Sequence, residues 1–401
     1  MVSSKFTLAS AAGLLAFTPS VLAGFDAGSS SNVAVYWGQN SAGAGASKQG
    51  RLSDYCSNTE INIIPLAFMN GIKTPITNFA NAGDNCSVFA GTQLLDCPQI
   101  EEDIKTCQGQ GKTIMLSIGG ATYTEGGFTD ESSASSAADV VWGLFGSNTN
   151  YENRPFGSAI IDGFDFDFES TTQNFVPFAS RLRSLMDADT SKTYYLSAAP
   201  QCPYPDAAMN DMLNGAISFD FIQIQFYNNY CGVNAFTPGS TTQNNYNFET
   251  WDTWAKQTSK NPNVKILMGV PASSTAAGTG YVDAATLGPI IQYNKQFSSF
   301  GGVMMWDMSQ LYGNPGFLDG VYSSLTSGGG STTTTAPGTT STSTSTTATT
   351  FTTSTVTTTT APGATLVPQW GQCGGEGYTG PTECQPPYTC VASGVWWSDC
   401  R

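Results

Sequence analysis

Short runs of apolar and β-branched residues recur through most of the chain, separated by longer stretches of mixed polarity. Several runs are almost continuously hydrophobic, which is typical of parallel strands covered on both faces. Eight runs predict strands: Val33–Trp37, Ile61–Phe68, Thr113–Ser117, Gly163–Glu169, Tyr194–Ala198, Phe219–Tyr227, Lys265–Pro271 and Gly302–Trp306. With room for a helix after most of them, they predict an α/β fold, a (β/α)8 TIM barrel. A doubly wound open sheet is the alternative, although no GxGxxG follows the first strand.

The pattern changes sharply at both ends of this region. Residues 1–23 combine Lys5, the apolar run Leu8–Phe17 and a small-residue ending at Ala23, which predicts a signal peptide and therefore secretion. A buried N-terminal helix is the alternative for this segment. Residues 327–365 consist largely of Ser and Thr, which predicts a disordered, O-glycosylated linker. We therefore expect a catalytic domain at 24–326 and a small separate module at 366–401.

Composition excludes several kinds of chemistry. Lys and Arg number 15 against 30 Asp and Glu, so no basic face is expected for nucleic acid or an anionic membrane. The chain has no His, which excludes Ser-His-Asp and Cys-His catalysis and histidine-based zinc sites. The ten Cys divide into six in the larger region and four in the module, which suits two sets of disulfides. Because none has CxxC spacing, we expect no metal and no cofactor.

One acidic motif stands out in the fourth predicted strand, which reads DGFDFDFE from Asp162 to Glu169. Side chains alternate along a strand, so Asp165, Asp167 and Glu169 are predicted on one face and the three Phe on the other. Three neighbouring carboxyl groups cannot all ionise freely, so at least one should keep a proton near neutral pH. Glu169 comes last, at the carboxyl end where barrel active sites open. A solvated acidic strand face is the alternative.

The motif resembles the catalytic signature of glycoside hydrolase family 18, the chitinases. Other segments resemble the plant-type (class III, hevamine-like) branch of that family. They are Tyr36–Asn40, Ser117–Gly120, Ala198–Pro203, Gln225–Asn229 and Gly302–Trp306. The resemblance extends over nearly all of residues 30–325.

The resemblance implies a catalytic role for each of four residues. Glu169 would be the general acid and base. Asp167 would bind the acetamido N–H of the substrate, Tyr227 would position the acetamido oxygen, and Asp165 would share a proton with Asp167. The substrate's own acetamido carbonyl would attack the anomeric carbon and give an oxazolinium ion, so the configuration would be retained.

Further positions are implied in the same way. The substrate-binding set would be Tyr36, Gln39, Gly120, Gln225 and Trp306. The disulfides would be Cys56–Cys107, Cys86–Cys97 and Cys202–Cys231. Non-proline cis peptides would lie at Ala67–Phe68 and Trp306–Asp307. From residue type alone, Trp306 and Tyr227 could equally be core residues.

The last 36 residues are too few to form a core without disulfides. They resemble the fungal cellulose-binding module, carbohydrate-binding module family 1. That resemblance implies the disulfides Cys373–Cys390 and Cys384–Cys400, and a flat sugar-stacking face formed by Trp370, Trp396 and Trp397. Gly394 and Asp399 replace the Asn and Gln usual in that family.

Together these features predict a secreted endochitinase, monomeric, that cleaves chitin and chitooligosaccharides. The module would hold the enzyme on insoluble chitin or cellulose. Three alternatives remain at this stage. They are an inactive lectin or inhibitor on the same barrel, a cellulase, and an endo-N-acetylglucosaminidase. Retention of Glu169 argues against the first, and the acetamido-reading pair Asp167 and Tyr227 argues against the second.

Overall fold

Eight parallel strands follow one another around a closed barrel. The computed structural model describes residues 24–43, 45, 48–327, 366–367, 372–374, 380–392 and 398–400. The strands are β1 (Asn32–Val35), β2 (Ile63–Gly71), β3 (Thr113–Gly119), β4 (Gly163–Asp167), β5 (Tyr195–Ala198), β6 (Phe221–Gln225), β7 (Lys265–Pro271) and β8 (Phe300–Trp306). Strand β1 pairs with both β8 and β2, which closes the sheet. The predicted TIM barrel is confirmed.

Helices surround the barrel. They are α1 (Leu52–Cys56), α2 (Pro98–Gly109), α3 (Glu131–Phe145), α4 (Phe175–Ala188), α5 (Asn210–Leu213), α6 (Phe248–Gln257), α7 (Ala284–Asn294), α8 (Met308–Tyr312) and α9 (Phe317–Thr326). Local sequence explains where some of them begin, because Asp130 and Asp283 cap the first turns of α3 and α7 by accepting backbone N–H groups. Within the described residues, no helix combines the length and the apolar character needed to cross a membrane.

Hydrophobic side chains form one layer on each side of the strands. The outer layer packs between the strands and the helices, while a smaller cluster fills the barrel itself. Phe25 closes the barrel at the amino ends of the strands. Its ring centroid lies 4.5 Å from that of Phe221 and 5.2 Å from that of Tyr195. We therefore expect the polar side chains of the active site at the carboxyl ends of the strands, where barrels of this kind have their active sites.

The disulfides and unusual peptide bonds implied by the resemblance are confirmed. The bonded pairs are Cys56–Cys107, Cys86–Cys97, Cys202–Cys231, Cys373–Cys390 and Cys384–Cys400. The peptide bonds Ala67–Phe68 and Trp306–Asp307 are both cis.

The chain divides into two compact units, Met1–Thr332 and Thr333–Arg401. In the second unit, strands Gln372–Gly374, Cys390–Ala392 and Ser398–Cys400 form an antiparallel sheet with the last strand in the centre. Its described core consists of Val367, Cys373 and Cys400. The residues assigned to sugar stacking, Trp370, Trp396 and Trp397, lie outside the described residues, as does Gly394.

Candidate active site

Strand β4 separates its aromatic and acidic residues onto opposite faces. Phe164 and Phe166 are fully buried in the layer between the barrel and the helices. Asp165 and Asp167 point into the barrel, where they meet polar side chains from other strands. Glu169 lies beyond the end of β4 and is exposed. The predicted alternation is confirmed within the strand.

The strand is two residues shorter than predicted, since it ends at Asp167 rather than at Glu169. The carbonyl of Phe166 still accepts the N–H of Ala199 from the β5 side. The next N–H with the same orientation belongs to Gln201, and it donates instead to the carboxylate of Asp206 at 3.0 Å. The ladder therefore stops, and Glu169 sits in the loop at the mouth of the barrel.

Asp165 is surrounded by hydrogen-bond donors. Its Oδ1 accepts from the hydroxyl of Ser197 at 2.6 Å and from Nε2 of Gln223 at 3.1 Å. Its Oδ2 accepts from the hydroxyls of Tyr36 at 2.6 Å and Ser117 at 2.7 Å. Burial raises the pKa of Asp165, and the four hydrogen bonds offset part of that rise. A carboxylate has about four acceptor positions, so these four donors use its full capacity to accept hydrogen bonds.

Asp167 has a very different environment, although it is only two residues away. It is 4% exposed and accepts one side-chain hydrogen bond, from Nε2 of Gln225 at 3.0 Å. Burial raises the pKa of Asp167 well above its usual range, and the negative charges of Glu169, Asp165 and Asp206 raise it further. Asp167 is therefore the carboxyl group that keeps a proton most readily.

Glu169 stands at the mouth of the barrel. Although the residue as a whole is exposed, desolvation raises the pKa of its carboxyl group, and a hydrogen bond from Gln225 opposes this rise. Because Glu169 and Asp167 interact electrostatically, they titrate as a pair. A carboxyl group with a raised pKa that still reaches solvent can donate a proton to a bound molecule and later take one back.

These groups open into a cleft with a volume of about 240 Å³. Its lining combines carboxyl, amide, phenol and indole groups. The lining residues are Gln39, Phe68, Ala121, Thr122, Asp167, Glu169, Gln225, Tyr227, Asn228, Ala276 and Trp306. The structure thus brings together most of the site residues predicted from the sequence, including the two acids Asp167 and Glu169.

Two predicted substrate-binding residues lie behind this surface rather than on it. Tyr36 is 1% exposed, and its hydroxyl is taken up by Asp165. Gly120 has a φ of 78°, and a Cβ at this position would meet the ring of Phe68 at 2.7 Å. These two residues therefore shape the wall of the cleft from behind.

Tyr227 and Trp306 contribute different kinds of surface to the cleft, one polar and one apolar. Tyr227 is 6% exposed, and burial followed by the charges of Asp167 and Glu169 raises its pKa well above the usual range, so its phenol is a hydrogen-bond donor. The Trp306 ring is partly exposed and stacks on Phe68 with centroids 5.9 Å apart. Its free surface offers an apolar floor for a sugar ring.

Other grooves on the protein are larger than the cleft that contains Asp167 and Glu169. A groove of about 410 Å³ lies beside α3 and another of about 510 Å³ adjoins Pro75 and Val140. Among the described residues, none that lines the first groove has a carboxyl group. The second contains one, that of Glu152. Acid–base chemistry therefore belongs to the smaller cleft, where two perturbed carboxyl groups converge.

Sequence reasoning missed several residues of this site. Ser197 and Gln223 each donate to Asp165, and Asp206 places a third negative charge near Asp167. Polar residues at inward positions of apolar strands were the available signal, since Gln223 alternates with Ile222 and Ile224. Phe68 and Asn228 line the cleft without any chemical pattern in the sequence to mark them.

Comparison with known proteins agrees with this geometry. Residues 32–286 match the family model for glycosyl hydrolases family 18. The chain belongs to this family. Residues 369–397 match the model for the fungal cellulose binding domain. Both resemblances predicted from the sequence are confirmed.

The proteins similar to this family 18 chain include chitinases and an inhibitor protein. Endochitinase 33 of Trichoderma harzianum is 56% identical over 322 residues, covering 80% of this chain and 99% of the relative. The class III chitinase of Arthroderma benhamiae is 49% identical, covering 82% and 95%. The crystal structure of the ICChI chitinase from Ipomoea carnea is 25% identical with a TM-score of 0.59, covering 73% and 99%. A xylanase and α-amylase inhibitor protein from Scadoxus multiflorus is 26% identical with a TM-score of 0.57, covering 72% and 97%.

Proposed function

We propose that the protein is a secreted endochitinase that hydrolyses β-1,4 bonds between N-acetylglucosamine units. The observation that carries this is the pair formed by Glu169, which reaches solvent at the cleft, and the buried Asp167 beside it. The names of the two curated relatives, an endochitinase and a class III chitinase, support the substrate. The inhibitor among similar structures shows that the barrel alone does not decide activity.

The cleft favours substrate assistance over a carboxylate nucleophile. Of the described residues that line it, Asp167 and Glu169 are the carboxylic acids. Asp167 is buried and its pKa is raised well above the usual range, so it is a poor nucleophile for an anomeric carbon. The acetamido oxygen of the substrate would make that attack instead, which gives an oxazolinium ion and retention of configuration.

Each residue then has a defined part in the reaction. The proton of Glu169 moves to the glycosidic oxygen as the bond to the anomeric carbon breaks, and Glu169 later removes a proton from water. Asp167 binds the acetamido N–H and stabilises the cation, while Asp165 shares a proton with Asp167. The phenol of Tyr227 holds the acetamido oxygen. Gln39, Gln225 and Trp306 contact the sugar directly, while Tyr36 and Gly120 shape the cleft.

We extend the proposal to the whole chain. The barrel domain at 24–326 would carry the chemistry, a glycosylated linker would follow at 327–365, and the module at 366–401 would bind chitin or cellulose through Trp370, Trp396 and Trp397. Five disulfides support an oxidising extracellular setting. The protein would act as a monomer without a cofactor.

Hydrolysis of N-acetylchitooligosaccharides, with the product anomers followed by NMR, tests the mechanism. The wild type should release β-anomers first. Glu169→Gln should lower kcat by about 10²–10⁴-fold, the range expected for loss of a general acid. Glu249→Gln, at an exposed position in the first turn of α6, should leave kcat unchanged.

Each of the other outcomes points elsewhere. Release of α-anomers would exclude the retaining mechanism, and activity surviving in Glu169→Gln would mean that another group is the acid. A wild-type protein that binds chitin without cleaving it would indicate a lectin. Cleavage of cellooligosaccharides at a similar rate would contradict a role for the acetamido group.

A further inference from the structure

A fully buried glutamine lies beneath the acids and has one polar atom without a partner in the described part of the chain. Gln223 is 0% exposed and points into the barrel from the middle of β6. Its Nε2 lies 3.1 Å from Oδ1 of Asp165, 3.4 Å from the hydroxyl of Tyr36 and 3.5 Å from that of Ser197. Its Oε1 has no hydrogen-bond partner among the described residues. Burying a carbonyl without a hydrogen-bond donor destabilises the folded state, so its presence calls for a reason.

The reason lies in the two charge states of Asp165. As a carboxylate, Asp165 needs donors, and it has four of them. As an acid, it becomes a donor itself and needs an acceptor close by. The free Oε1 of Gln223 is that acceptor, because half a turn of the amide about its last bond exchanges the positions of Nε2 and Oε1.

We propose that Gln223 is a positioning residue that allows Asp165 to change its protonation state during the reaction. With Asp165 ionised, the amide donates from Nε2. When the proton of Asp167 passes to Asp165, the amide turns and accepts from the new O–H through Oε1. The pair of aspartates keeps one proton and one negative charge throughout, and only the owner of the proton changes.

Two glutamines of β6, Gln223 and Gln225, each donate to one of the two aspartates. Gln225 forms a hydrogen bond to Glu169, donates to Asp167 and donates a second bond to the backbone carbonyl of Ala199. That second bond to a backbone atom ties the orientation of its amide to the fold. The inward side-chain neighbours of Gln223 are hydroxyl groups and a carboxyl group, which can all rotate or change protonation. Gln223 is therefore the amide that is free to turn.

Other titratable groups face this site and must be considered in any pH measurement. Tyr36 following β1 and Tyr227 following β6 interact with the aspartates, and the pKa of each tyrosine is raised well above its usual range by burial. Glu169 and Asp206 act on Asp167. The tyrosines remain neutral through the acid and neutral range, so the pH response there belongs to the four carboxyl groups.

The test compares Gln223→Leu and Gln223→Glu on soluble chitooligosaccharides. Leu removes the donor and the acceptor, so kcat should fall by about tenfold or more at every pH, with KM within about twofold. A protonated Glu offers both a donor and an acceptor and should restore kcat to within about threefold at about pH 4. Once the introduced carboxyl group ionises, it is an acceptor only, so the alkaline limb of the kcat profile of Gln223→Glu should move to lower pH.

The matched control is Asn294→Leu. Asn294 is also 0% exposed and also has an unpartnered oxygen, but it lies at the end of α7 and donates to Tyr246 in the outer layer. This variant should lower Tm without changing the shape of the pH profile. The proposal is wrong if Gln223→Glu and Gln223→Leu show wild-type profiles, or if both lose the same factor of kcat at all pH values.

A second measurement covers the case in which the variants fold poorly. Neutron diffraction of the wild-type protein locates the amide deuterons of Gln223 directly. We expect them to face Asp165 at about pH 7 and to face away at about pH 3, where carboxyl groups are protonated. An unchanged amide in both structures would overturn the inference. The inference depends on the proposed hydrolytic function, but the two fail separately: an inactive wild type refutes the function, whereas wild-type profiles in active variants refute only the role of Gln223.

Discussion

At the scale of single residues, two aspartates on one strand face differ in the hydrogen bonds that they accept. Asp165 accepts four side-chain hydrogen bonds, which offset part of the rise in its pKa that burial causes. Asp167 accepts one from the described side chains, and burial together with the negative charges of Glu169, Asp165 and Asp206 disfavours its ionised form. The same substitution at the two positions should therefore change the stability of the protein in opposite directions.

Asp167→Asn should raise the free energy of unfolding by on the order of 1 kcal/mol at neutral pH while it abolishes activity, as is common where a functional site is strained. The amide keeps the hydrogen bond from Gln225, and the unfavourable charge is gone. Asp165→Asn should instead lower it by about 1.5–3 kcal/mol, because donors that bonded to a charged group now face an amide. Urea unfolding of the two variants and the wild type measures both effects.

The pH dependence of the difference provides an internal check. The pKa of Asp167 is raised in the folded state, so the folded protein holds a proton that the unfolded chain releases above about pH 3.9. The wild type therefore loses stability as pH rises from that value through the folded-state pKa of Asp167. The advantage of Asp167→Asn should appear over this window and vanish below about pH 3.9. An advantage that is equal at all pH values would contradict this explanation.

The sequence was sufficient to find the acids but not to tell them apart. The alternation in β4 predicted that Asp165 and Asp167 share a face, which is confirmed. Their difference depends on donors from β3, β5 and β6, which come together only when the barrel closes. Ser197 and Gln223 are ordinary polar residues within apolar runs, and nothing local in the sequence indicates which aspartate they contact.

At the scale of elements, the connection from α3 to β4 is held by one buried cation. Arg154 is 5% exposed, and its guanidinium donates to the carbonyls of Gly143, Gly157 and Ala159 at 2.6–2.8 Å. Burial lowers its pKa. These bonds fix the path of the chain from the end of α3 to the strand that carries the acids.

Arg154→Lys should therefore be a severe change despite the conserved charge. The compact ammonium of Lys cannot reach carbonyls in three directions, and the carbonyls left behind would be buried without donors. We expect a loss of about 3 kcal/mol in the free energy of unfolding. Thermal and urea unfolding measure it.

Arg181→Lys provides the comparison. Arg181 pairs with Asp139 at 2.7 Å, but the two side chains are 43% and 50% exposed, so the change should stay within about 0.5 kcal/mol. Equal stability of Arg154→Lys and Arg181→Lys would show that the carbonyl contacts do not hold the connection.

Strand positions were predictable, but their ends were less so. All eight predicted strands are present because short apolar runs that are rich in β-branched and aromatic residues and bounded by polar segments favour strands. The predicted end of β4 was wrong because the actual end depends on the carboxylate of Asp206, which is distant from β4 in the sequence. Asp206 accepts the N–H of Gln201, and that N–H would otherwise have extended the ladder. The start of β2 is likewise at Ile63 rather than at Ile61.

At the scale of the whole molecule, the acidic cleft and the match to a cellulose binding domain lie in separate units, Met1–Thr332 and Thr333–Arg401. The first has the barrel, both hydrophobic layers and the cleft. The second matches a polysaccharide-binding family in residues 369–397. A tethered binding module raises the effective concentration of an enzyme on an insoluble polymer without altering the reaction itself.

Ending the chain at Ser327 should therefore separate the two contributions. This end point keeps the carbonyl of Ser327, which accepts a hydrogen bond from Lys295 at 2.8 Å, so α9 stays anchored to α7. Hydrolysis of soluble chitooligosaccharides should match the full-length protein, whereas the initial rate on crystalline chitin at low loading should fall by about tenfold or more. The full-length double variant Trp396→Ala and Trp397→Ala should lose the same factor on crystalline chitin, which assigns the effect to the module and not to the linker. An equal loss on soluble and crystalline substrates would mean that the second unit supports the barrel itself, and an unchanged rate on both would mean that it binds something other than chitin.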